Sequence, residues 1–324
     1  MRPGVSAVKE RMKVLFISSG KSGRVGDVVK NQGESLKTGG IEIDFYLIKP
    51  GFLGYLFAIP KIRRAFKKGN YDLAHAHYSL SGFTAALAGC RPLVVSLMGS
   101  DAYMSGWLRV LARFFYNNKW NITIVKTKQM KELLRMDKAY VIPNGVDINR
   151  FKPFPKEDAR KYLNYPLHKK LILFISNPNR PEKNMGLAEK AFKDLRRNKV
   201  ELKHIYNVTN EDMPLYYNAT DALLLTSKWE GSVNVVKEAM ACNCPIVSTD
   251  VGDVSWVIDE TEGCFITSFK SEDIAQKIQA AFTFGKRTSG RQRIIELGLV
   301  SEVVAKKIIS LYREAISKKD FVKI

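Results

Sequence analysis

Residues 222–248 read ALLLTSKWEGSVNVVKEAMACNCPIVS and contain one complete strand–loop–helix–strand unit. Ala222–Thr226 is an apolar run of strand length, and Ile246–Ser248 is a second one. Between them, a polar loop surrounds Gly231, and a helix is predicted to begin near Val233. Because consecutive parallel strands need a long crossover connection, usually a helix, this stretch predicts an α/β fold with a parallel sheet.

The same alternation of short apolar runs and helical stretches continues on both sides of this unit. The runs are rich in Val, Ile and Leu and lack period-two alternation, which indicates strands buried on both faces. Six runs precede the turn-rich segment Pro143–Pro155, and five follow it. The predicted strands are Lys13–Ser18, Ile41–Ile48, Leu73–His77, Leu93–Leu97, Ile122–Lys126, Tyr140–Ile142, Leu171–Ser176, Leu202–Tyr206, Ala222–Thr226, Ile246–Ser248 and Phe265–Thr267.

This organisation predicts two doubly wound α/β domains, residues 12–150 and residues 151–300. Residues 301–324 follow as an amphipathic C-terminal helix, and residues 1–11 are expected to be a mobile extension. The residues of the terminal helix that we expect to face inward are Val303, Ile308, Leu311 and Ile316.

Composition narrows the class of protein. The chain has 324 residues, a formal net charge of +20 and 45% hydrophobic residues, which is ample material for two buried cores. It contains no run of the ~18 apolar residues that a membrane span needs and no apolar stretch of signal-peptide length at its start. Its four cysteines form no C-x-x-C pair, so we expect reduced, buried thiols, no structural zinc and a cytoplasmic location.

The positive charge is concentrated in the first half. Residues 1–150 contain 24 Lys and Arg against 10 Asp and Glu, and Lys49–Lys68 (KPGFLGYLFAIPKIRRAFKK) contains six basic residues and no acidic one. Aromatic and apolar residues beside basic ones are typical of a segment that binds an anionic membrane surface. An ordinary helix with a solvated basic face is the alternative. No recognition motif of a nucleic-acid-binding fold is present, so nucleic acid is not an expected partner.

Ligands of open parallel sheets bind at the carboxyl ends of the strands, so the loops after the strands are candidate sites. Gly20–Gly26 follows the first strand and contains Gly23, where a backbone can approach a phosphate. The segment is not G-x-G-x-x-G, which makes a nicotinamide cofactor a weak hypothesis. In the second half, Arg180 and Lys183 follow a strand and suit the two phosphates of a nucleotide diphosphate, although on this stretch alone a solvated loop is slightly favoured.

The loop and helix of residues 227–241 carry the strongest signal. The helix N-terminus at Ser232–Val235 offers N–H donors to an anion, and Glu230 and Glu238 place one carboxylate on each side of it. Carboxylates accept hydrogen bonds from sugar hydroxyls strongly. Lys237 is expected to face solvent, whereas the alanines and Met240 pack inward.

Glu230 and Glu238, with seven residues between them, resemble the E-x7-E motif of the retaining nucleotide-sugar glycosyltransferases of glycosyltransferase family 4. The resemblance runs from Met12 through nearly the whole chain. It implies the GT-B fold, in which two Rossmann-like domains face each other across a cleft and a C-terminal helix, here residues 301–324, returns to the first domain. Further segments that resemble family motifs are Asp72–His77, Leu93–Asp101, Val141–Asp147, Phe151–Pro153 and Pro245–Gly252.

The resemblance also implies a donor site. Arg180 and Lys183 would neutralise the diphosphate of the donor, and the start of the helix at Ser232, Asn234 and Val235 would add backbone N–H groups. Fixed positive charge would then stabilise the leaving diphosphate without a metal ion. No cofactor is implied beyond a UDP- or GDP-sugar as the donor.

Further roles follow from the same resemblance. Glu238 would hold the ribose hydroxyls, Glu230 the donor sugar near the reacting carbon, and Gly23 the phosphates when the cleft closes. His75 and His77 are the candidates on the acceptor side, and Glu230 and His77 are the candidate catalytic residues. Met98 stands where the family usually has His.

The implied activity is that of a hexosyltransferase (a glycosyltransferase of EC 2.4) that builds bacterial-type cell-surface glycans. The acceptor would be a lipid-linked sugar or a growing polysaccharide, and the enzyme would work as a peripheral protein on the inner face of the plasma membrane. Two alternatives remain. One is a GT-B nucleotide-sugar epimerase or phosphorylase, and the other is a catalytically degenerate protein that binds nucleotide or membrane.

Overall fold

The computed structural model describes residues 12–20, 23–195 and 199–320. The predicted extension, residues 1–11, lies outside them. The described chain forms two compact units. Unit 1 contains the residues up to Val125, Leu134–Tyr140 and the chain from Ala305 onward, and unit 2 contains Lys126–Leu133 and Val141–Val304.

Strands and helices alternate along the first part of the chain. The strands are β1 (Lys13–Ser19), β2 (Glu42–Ile48), β3 (Leu73–His77), β4 (Leu93–Ser96), β5 (Ile122–Val125) and β6 (Tyr140–Val141). The helices are α1 (Asp27–Thr38), α2 (Phe52–Lys68), α3 (Ser79–Leu87), α4 (Gly106–Asn118) and α5 (Lys128–Leu134), with a short 3-10 helix at Gly99–Tyr103.

The sheet of this part has the strand order β2-β1-β3-β4-β5-β6, and the pairs from β2 to β5 are parallel. The middle strands are buried: Phe16 is 1% exposed and Val94 is fully buried. Crossovers between parallel strands are right-handed. Helix α1 connects β1 to β2, toward one end of this strand order, whereas α2, α3 and α4 connect strands in the opposite direction, toward β5. Helices α2, α3 and α4 therefore lie on one face of the sheet, and α1 lies on the opposite face.

The later elements form the second sheet. Its strands are β7 (Lys170–Ile175), β8 (Val200–Ile205), β9 (Ala222–Leu225), β10 (Ile246–Thr249) and β11 (Cys264–Thr267). The helices are α6 (Lys156–Tyr162), α7 (Met185–Asp194), α8 (Met213–Ala219), α9 (Asn234–Ala241), α10 (Val254–Ile258), α11 (Ser271–Phe284), α12 (Gly290–Glu296) and α13 (Ser301–Asp320), with a 3-10 helix at Pro181–Lys183.

The second sheet is parallel with the order β11-β10-β9-β7-β8 and has a core on each face. Successive side chains along a strand point to opposite faces of the sheet, so alternate residues contribute to different cores. Leu173 and Leu223 pack with α8, α9, α10 and α12, whereas Ile172 and Leu224 pack with α7 and α11. Burial on both faces explains why these strands read as continuous apolar runs.

All eleven predicted strands are present, with ends displaced by two residues at most. The terminal helix α13 is also present, and in unit 1 the hydroxyl of its Tyr312 is hydrogen-bonded to His75 Nδ1 at 2.6 Å. One inward position was predicted wrongly: Val303 is 37% exposed, and Val304 and Ala305 are buried instead. The buried side of the helix is shifted by one residue, from position 303 to position 304, relative to the predicted one.

The four cysteines are free and buried, as predicted. Burial raises the pKa of the Cys90 and Cys264 thiols to about 12. No helix within the described residues combines the length and the apolar character needed to cross a bilayer.

Candidate active site

Three loops meet at the carboxyl edge of the second sheet, after β7, β9 and β10. Thr226 Oγ1, at the end of β9, donates to the carbonyl oxygens of Lys183 and Asn184 in the loop after β7, both at 3.0 Å. Thr249 Oγ1, at the end of β10, donates to the carbonyl oxygen of Ser227 at 2.8 Å. These buried threonines therefore fix the three loops to one another.

Lys183 and Glu230 form an ion pair at this edge. The Nζ atom of Lys183 contacts Glu230 Oε1, and the two side chains are only 10% and 14% exposed. Ser227 Oγ donates a second hydrogen bond to the same carboxylate oxygen at 2.9 Å. The predicted diphosphate cation and the predicted sugar carboxylate are thus adjacent, although they lie 47 positions apart in the sequence.

Two glycines let the loops after β9 and β10 approach closely. Gly252 has a φ of +62°, and a Cβ atom built on it would lie 2.0 Å from the carbonyl oxygen of Gly231. Any side chain at position 252 would push the Glu230–Gly231 loop away and would also strain the backbone.

A buried charge network supports the start of α9. Asp253 Oδ1 accepts the backbone N–H of Val233, the residue before α9, at 2.9 Å, and Asp253 Oδ2 lies 2.6 Å from Lys237 Nζ. Lys237 also donates to Ser232 Oγ. The prediction that Lys237 faces solvent was therefore wrong: the side chain is 1% exposed and paired, because its helix position turns it toward the loop after β10.

The predicted donor-binding side chains at the start of α9 already have partners. Ser232 Oγ accepts the backbone N–H of Asn144 at 2.9 Å, and Asn234 Oδ1 accepts from Asn144 Nδ2 at 3.0 Å. Their side chains hold the loop in place. The backbone N–H groups of Asn234 and Val235 belong to the first turn, where a helix has no internal acceptors for them.

Asn234, Val235 and Glu238 share the half-exposed side of α9, whereas Val236 and Lys237 are buried. Glu238 accepts a hydrogen bond from the hydroxyl of Tyr217 at 2.7 Å. Burial, reinforced by the negative charge of Glu238, raises the pKa of Tyr217 well above its usual value, so the phenol stays a donor. The tyrosine thereby fixes one carboxylate oxygen of Glu238.

Arg180 lies apart from this cluster. Its side chain is 49% exposed, and its Nε pairs with Glu182 Oε1 at 2.6 Å. The structure therefore brings Lys183 and Glu230 together. Glu238 lies in α9, four residues after Asn234. Arg180, by contrast, is paired within its own loop.

The predicted site residues of unit 1 lie in two different surroundings. Gly23 is exposed and has a φ of +70°, and a Cβ atom built on it would meet nothing within 4 Å, while its neighbours 21 and 22 lie outside the described residues. His77 is fully buried at the end of β3, with its ring centroid 4.7 Å from that of Phe16 and 4.3 Å from that of His75.

Near His77, a buried carboxylate joins the loops after β3 and β4. Asp101 accepts hydrogen bonds from the backbone N–H and hydroxyl of Ser79, at 3.1 and 2.7 Å, and from the N–H of Met98 at 2.7 Å. Burial raises the pKa of Asp101, although these hydrogen bonds oppose the shift. Asp101 therefore fixes the backbone of Met98.

Helix α2, within the predicted interfacial segment Lys49–Lys68, has an exposed face with two halves. Its first half is apolar: Phe52 is 81% exposed and Phe57 is 60% exposed, with Leu53 and Leu56 also exposed. Its second half is basic, with exposed Lys61, Arg64, Lys67 and Lys68. We call these eight residues the α2 face.

Sequence reasoning missed the residues that support the site. Asp253, Lys237, Asn144 and Tyr217 hold the loop and the glutamates, and none was predicted to do so. A signal existed for Asp253, which lies four residues after the end of β10, in the loop that follows this strand. Within the described residues, no group of three or more His, Cys, Asp or Glu side chains is placed to hold a metal ion.

Comparison with known proteins agrees with this architecture. A family model described as Glycosyltransferase Family 4 matches residues 8–150, and a second, described as Glycosyl transferases group 1, matches residues 189–283. The solved structure of Anabaena HepE in complex with UDP superposes with a TM-score of 0.72 at 20% identity, covering 94% of this chain and all of that one. Two parts of the chain are therefore similar to glycosyltransferases of these families, and the fold is the two-domain α/β GT-B fold.

Two curated relatives extend the comparison. A Bacillus subtilis protein assigned as a teichuronic acid biosynthesis glycosyltransferase is 28% identical over 236 residues, which are 64% of this chain and 60% of the relative. An Escherichia coli α-1,3-galactosyltransferase that acts on GlcNAc-diphosphoundecaprenol with UDP-Gal is 27% identical over 252 residues, 62% of this chain and 63% of the relative. The chain thus spans somewhat over half the length of these relatives.

Proposed function

We propose that this protein is a retaining glycosyltransferase that moves a sugar from a UDP- or GDP-sugar to a lipid-linked or polysaccharide acceptor in cell-surface glycan synthesis. The observation that carries the proposal is the Lys183–Glu230 pair beside the start of α9, at the sheet edge where parallel-sheet proteins bind ligands. Relatives that act in teichuronic acid synthesis and on a diphosphoundecaprenol acceptor support it.

In this proposal residues 151–300 form the donor half and residues 12–150 the acceptor half. Lys183 and Arg180 neutralise the diphosphate together with the N–H groups of Asn234 and Val235, and Ser232 holds that loop. A diphosphate that arrives beside Lys183 replaces Glu230 as its counter-ion, so the cation is in place before the donor binds. Fixed donors of this kind are effective because they need no reorganisation during the reaction.

The remaining site residues act on the two sugars. Glu238 accepts hydrogen bonds from the ribose hydroxyls, and Tyr217 keeps its carboxylate oriented. Glu230, released from Lys183, holds the donor sugar, while Gly23 is assigned to the phosphates and His77 to the acceptor half. The bond from the anomeric carbon to the diphosphate oxygen breaks, an acceptor oxygen takes its place with the same configuration, and the hydroxyl proton leaves toward the departing diphosphate.

The α2 face directs the enzyme to the cytoplasmic surface of an anionic membrane. Exposed apolar side chains followed by exposed cations match the boundary between hydrocarbon and head groups. A lipid-linked acceptor would then be within reach of the acceptor half without leaving the bilayer.

The test is an assay with radiolabelled UDP- and GDP-sugars and a bacterial lipid extract as the acceptor source. We expect transfer of label to lipid or glycan, with the anomeric configuration kept in the NMR spectrum of the product. Glu230→Gln should lower the rate by roughly 10²-fold or more, as loss of a group that acts on the transition state does. The exposed Glu260→Gln should leave the rate unchanged and serves as the control.

Two outcomes would contradict the proposal. An altered nucleotide-sugar without a new glycosidic bond would indicate the epimerase alternative. Nucleotide binding without turnover, for the wild type as for Glu230→Gln, would indicate the degenerate binding protein.

A further inference from the structure

Helix α4 carries a second exposed apolar stripe, separate from the α2 face. Trp107, Val110 and Phe114 are 68%, 61% and 53% exposed, and their spacing of three and four residues places them on one side of the helix. The opposite side packs inward through Ala112 and Phe115. We call Trp107, Val110 and Phe114 the α4 stripe.

The exposure of the α4 stripe is not a consequence of a poorly packed helix. Phe115, on the inner side, lies with its ring centroid 4.8 Å from that of Phe83 in α3 and 6.4 Å from that of Trp120. The helix is therefore held firmly to unit 1 while three large apolar side chains point away from it. Single exposed apolar residues are ordinary, but a row of three on one helix marks an interaction surface.

The charges around the stripe indicate what covers it. Residues 45–125, all of them in unit 1, contain ten Lys and Arg but only two acidic residues, Asp72 and Asp101. Asp101 is buried, and Asp72 accepts the backbone N–H of Lys13 at 2.6 Å. Arg109 and Arg113 lie on α4 itself, so the stripe is bordered by uncompensated positive charge.

The stripe shares a side of unit 1 with the α2 face. Both α2 and α4 pack against α3, and Arg63 of α2 donates to the carbonyl oxygens of Leu87 and Ala88 at the end of α3, at 3.0 and 3.2 Å. Leu87 is itself 53% exposed, as is Leu80 at 42%. Exposed apolar side chains therefore occur on all three neighbouring helices.

The starts of α2, α3 and α4 follow the carboxyl ends of β2, β3 and β4. Phe52, Leu80 and Trp107, each within the first two residues of its helix, consequently lie at the same edge of the sheet. His77, which the proposed function assigns to the acceptor half, ends β3 at the same edge.

We propose that the α4 stripe inserts into an anionic lipid bilayer, so that α2, α3 and α4 together form one membrane-docking surface. This inference rests on the proposed function and extends it to a second helix. Apolar side chains bordered by cations fit an interface of hydrocarbon and anionic head groups. A second copy of the chain is a poorer occupant, because two surfaces of the same positive charge repel each other.

The experiment measures binding of the full chain to vesicles by co-sedimentation, with phosphatidylglycerol-containing and pure phosphatidylcholine vesicles. The test variant is Trp107→Ser/Phe114→Ser. The control is Tyr162→Ser/Leu167→Ser, which removes two side chains of unit 2 that are 71% and 53% exposed. We expect the α4 variant to lose at least 10-fold in affinity for anionic vesicles and the control to bind as the wild type does.

A second readout separates insertion from charge attraction. Brominated lipids should quench wild-type tryptophan fluorescence, and Trp107→Phe, which keeps an aromatic ring in the stripe, should bind normally but lose most of the quenching. The α4 variant should also keep the salt dependence of the wild type, because it changes no charge.

Two further measurements keep this inference distinct from the proposed function. Sugar transfer to a water-soluble acceptor analogue should be unaffected by Trp107→Ser/Phe114→Ser, which also checks that the variant folds. The inference is overturned if the α4 variant binds vesicles like the wild type, if the wild type binds none, or if the stripe instead mediates self-association by light scattering. Failure of transfer with normal vesicle binding would count against the proposed function alone.

Discussion

The carboxyl edge of the second sheet and the outer surface of α2 and α4 use positive charge in opposite ways. At the sheet edge, Lys183 and Lys237 are almost fully buried and each is paired with a carboxylate, Glu230 and Asp253. On α2 the cations are exposed, and no acidic residue lies between Phe45 and Tyr71.

The difference has a physical reason. A buried cation needs a partner to stay charged, since an isolated charge in a protein interior is very unfavourable, and the pairing fixes its position. An exposed cation needs none and interacts with whatever anionic surface it meets, over a distance limited by salt. The first arrangement suits recognition of one small anion in one orientation, and the second suits a broad surface without a defined geometry.

The largest effect should come from breaking the buried pair of unit 2. Lys237→Met leaves Asp253 buried with only the N–H of Val233 as a hydrogen-bond donor, so we expect the free energy of unfolding to fall by about 3–5 kcal/mol. Urea unfolding followed by tryptophan fluorescence measures the change.

The control for this prediction is Lys286→Met. Lys286 pairs with Glu262 at 3.8 Å, but the two side chains are 69% and 80% exposed. Removing an exposed pair should change the free energy of unfolding by about 1 kcal/mol or less. Equal destabilisation by the two variants would contradict the distinction between buried and exposed pairs.

A second effect concerns the exposed charges. Lys61→Gln/Lys67→Gln/Lys68→Gln should weaken binding to anionic vesicles by roughly 100-fold, since each basic residue near such a surface contributes about 1 kcal/mol. Co-sedimentation at low and at high salt measures it, and the variant should be less sensitive to salt than the wild type. Arg63 is kept because it donates to the end of α3.

The matched control changes three exposed lysines of unit 2, Lys152, Lys190 and Lys193, to Gln. Net charge falls equally in the two variants. If both lose the same affinity, the overall charge of the protein rather than the α2 face attracts the membrane.

A smaller effect is expected from pH. Lys126 is 1% exposed, and its burial, with a further contribution from Lys237, lowers its pKa to about 7. Between that value and about pH 10, the unfolded chain holds a proton that the folded chain lacks, so the free energy of unfolding should rise with pH in this window. Urea unfolding at about pH 7, 8 and 9 should show this rise for the wild type and a smaller one for Lys126→Met. Identical pH dependence of the two proteins would be the contrary result.

The strands were predictable because parallel strands buried on both faces have a simple signature. Leu171–Ser176 and Ala222–Thr226 are apolar almost without interruption. The observed strand β7 differs from the prediction by one residue at each end, and β9 differs by one residue at its second end. The sequence predicts the ends of the strands less accurately. Polar residues at a strand end, such as Thr226, are bound by loops that are distant in the sequence, and a local pattern does not include those contacts.

The site was predictable only in part. Glu230, Glu238 and Lys183 follow strands or lie in the helix after one, so topology alone brings them to one edge. The partnership of Lys237 with Asp253 spans two connections, and local periodicity does not reveal which way a lysine on a short helix points. Helical periodicity also fails for α4, where the exposed positions are as apolar as the buried ones.

The most direct test of the central claim, that the carboxyl edge of the second sheet holds a nucleotide-diphosphate donor, is calorimetric titration of the protein with UDP and GDP. We predict that one of the two binds and that Lys183→Ala lowers the affinity roughly 10- to 100-fold, because a hydrogen bond to a charged group contributes about 1.5–3 kcal/mol. Glu238→Gln should weaken binding as well, whereas the exposed Lys190→Ala should not. Absence of binding by both nucleotides, or wild-type affinity in Lys183→Ala and Glu238→Gln, would contradict the claim.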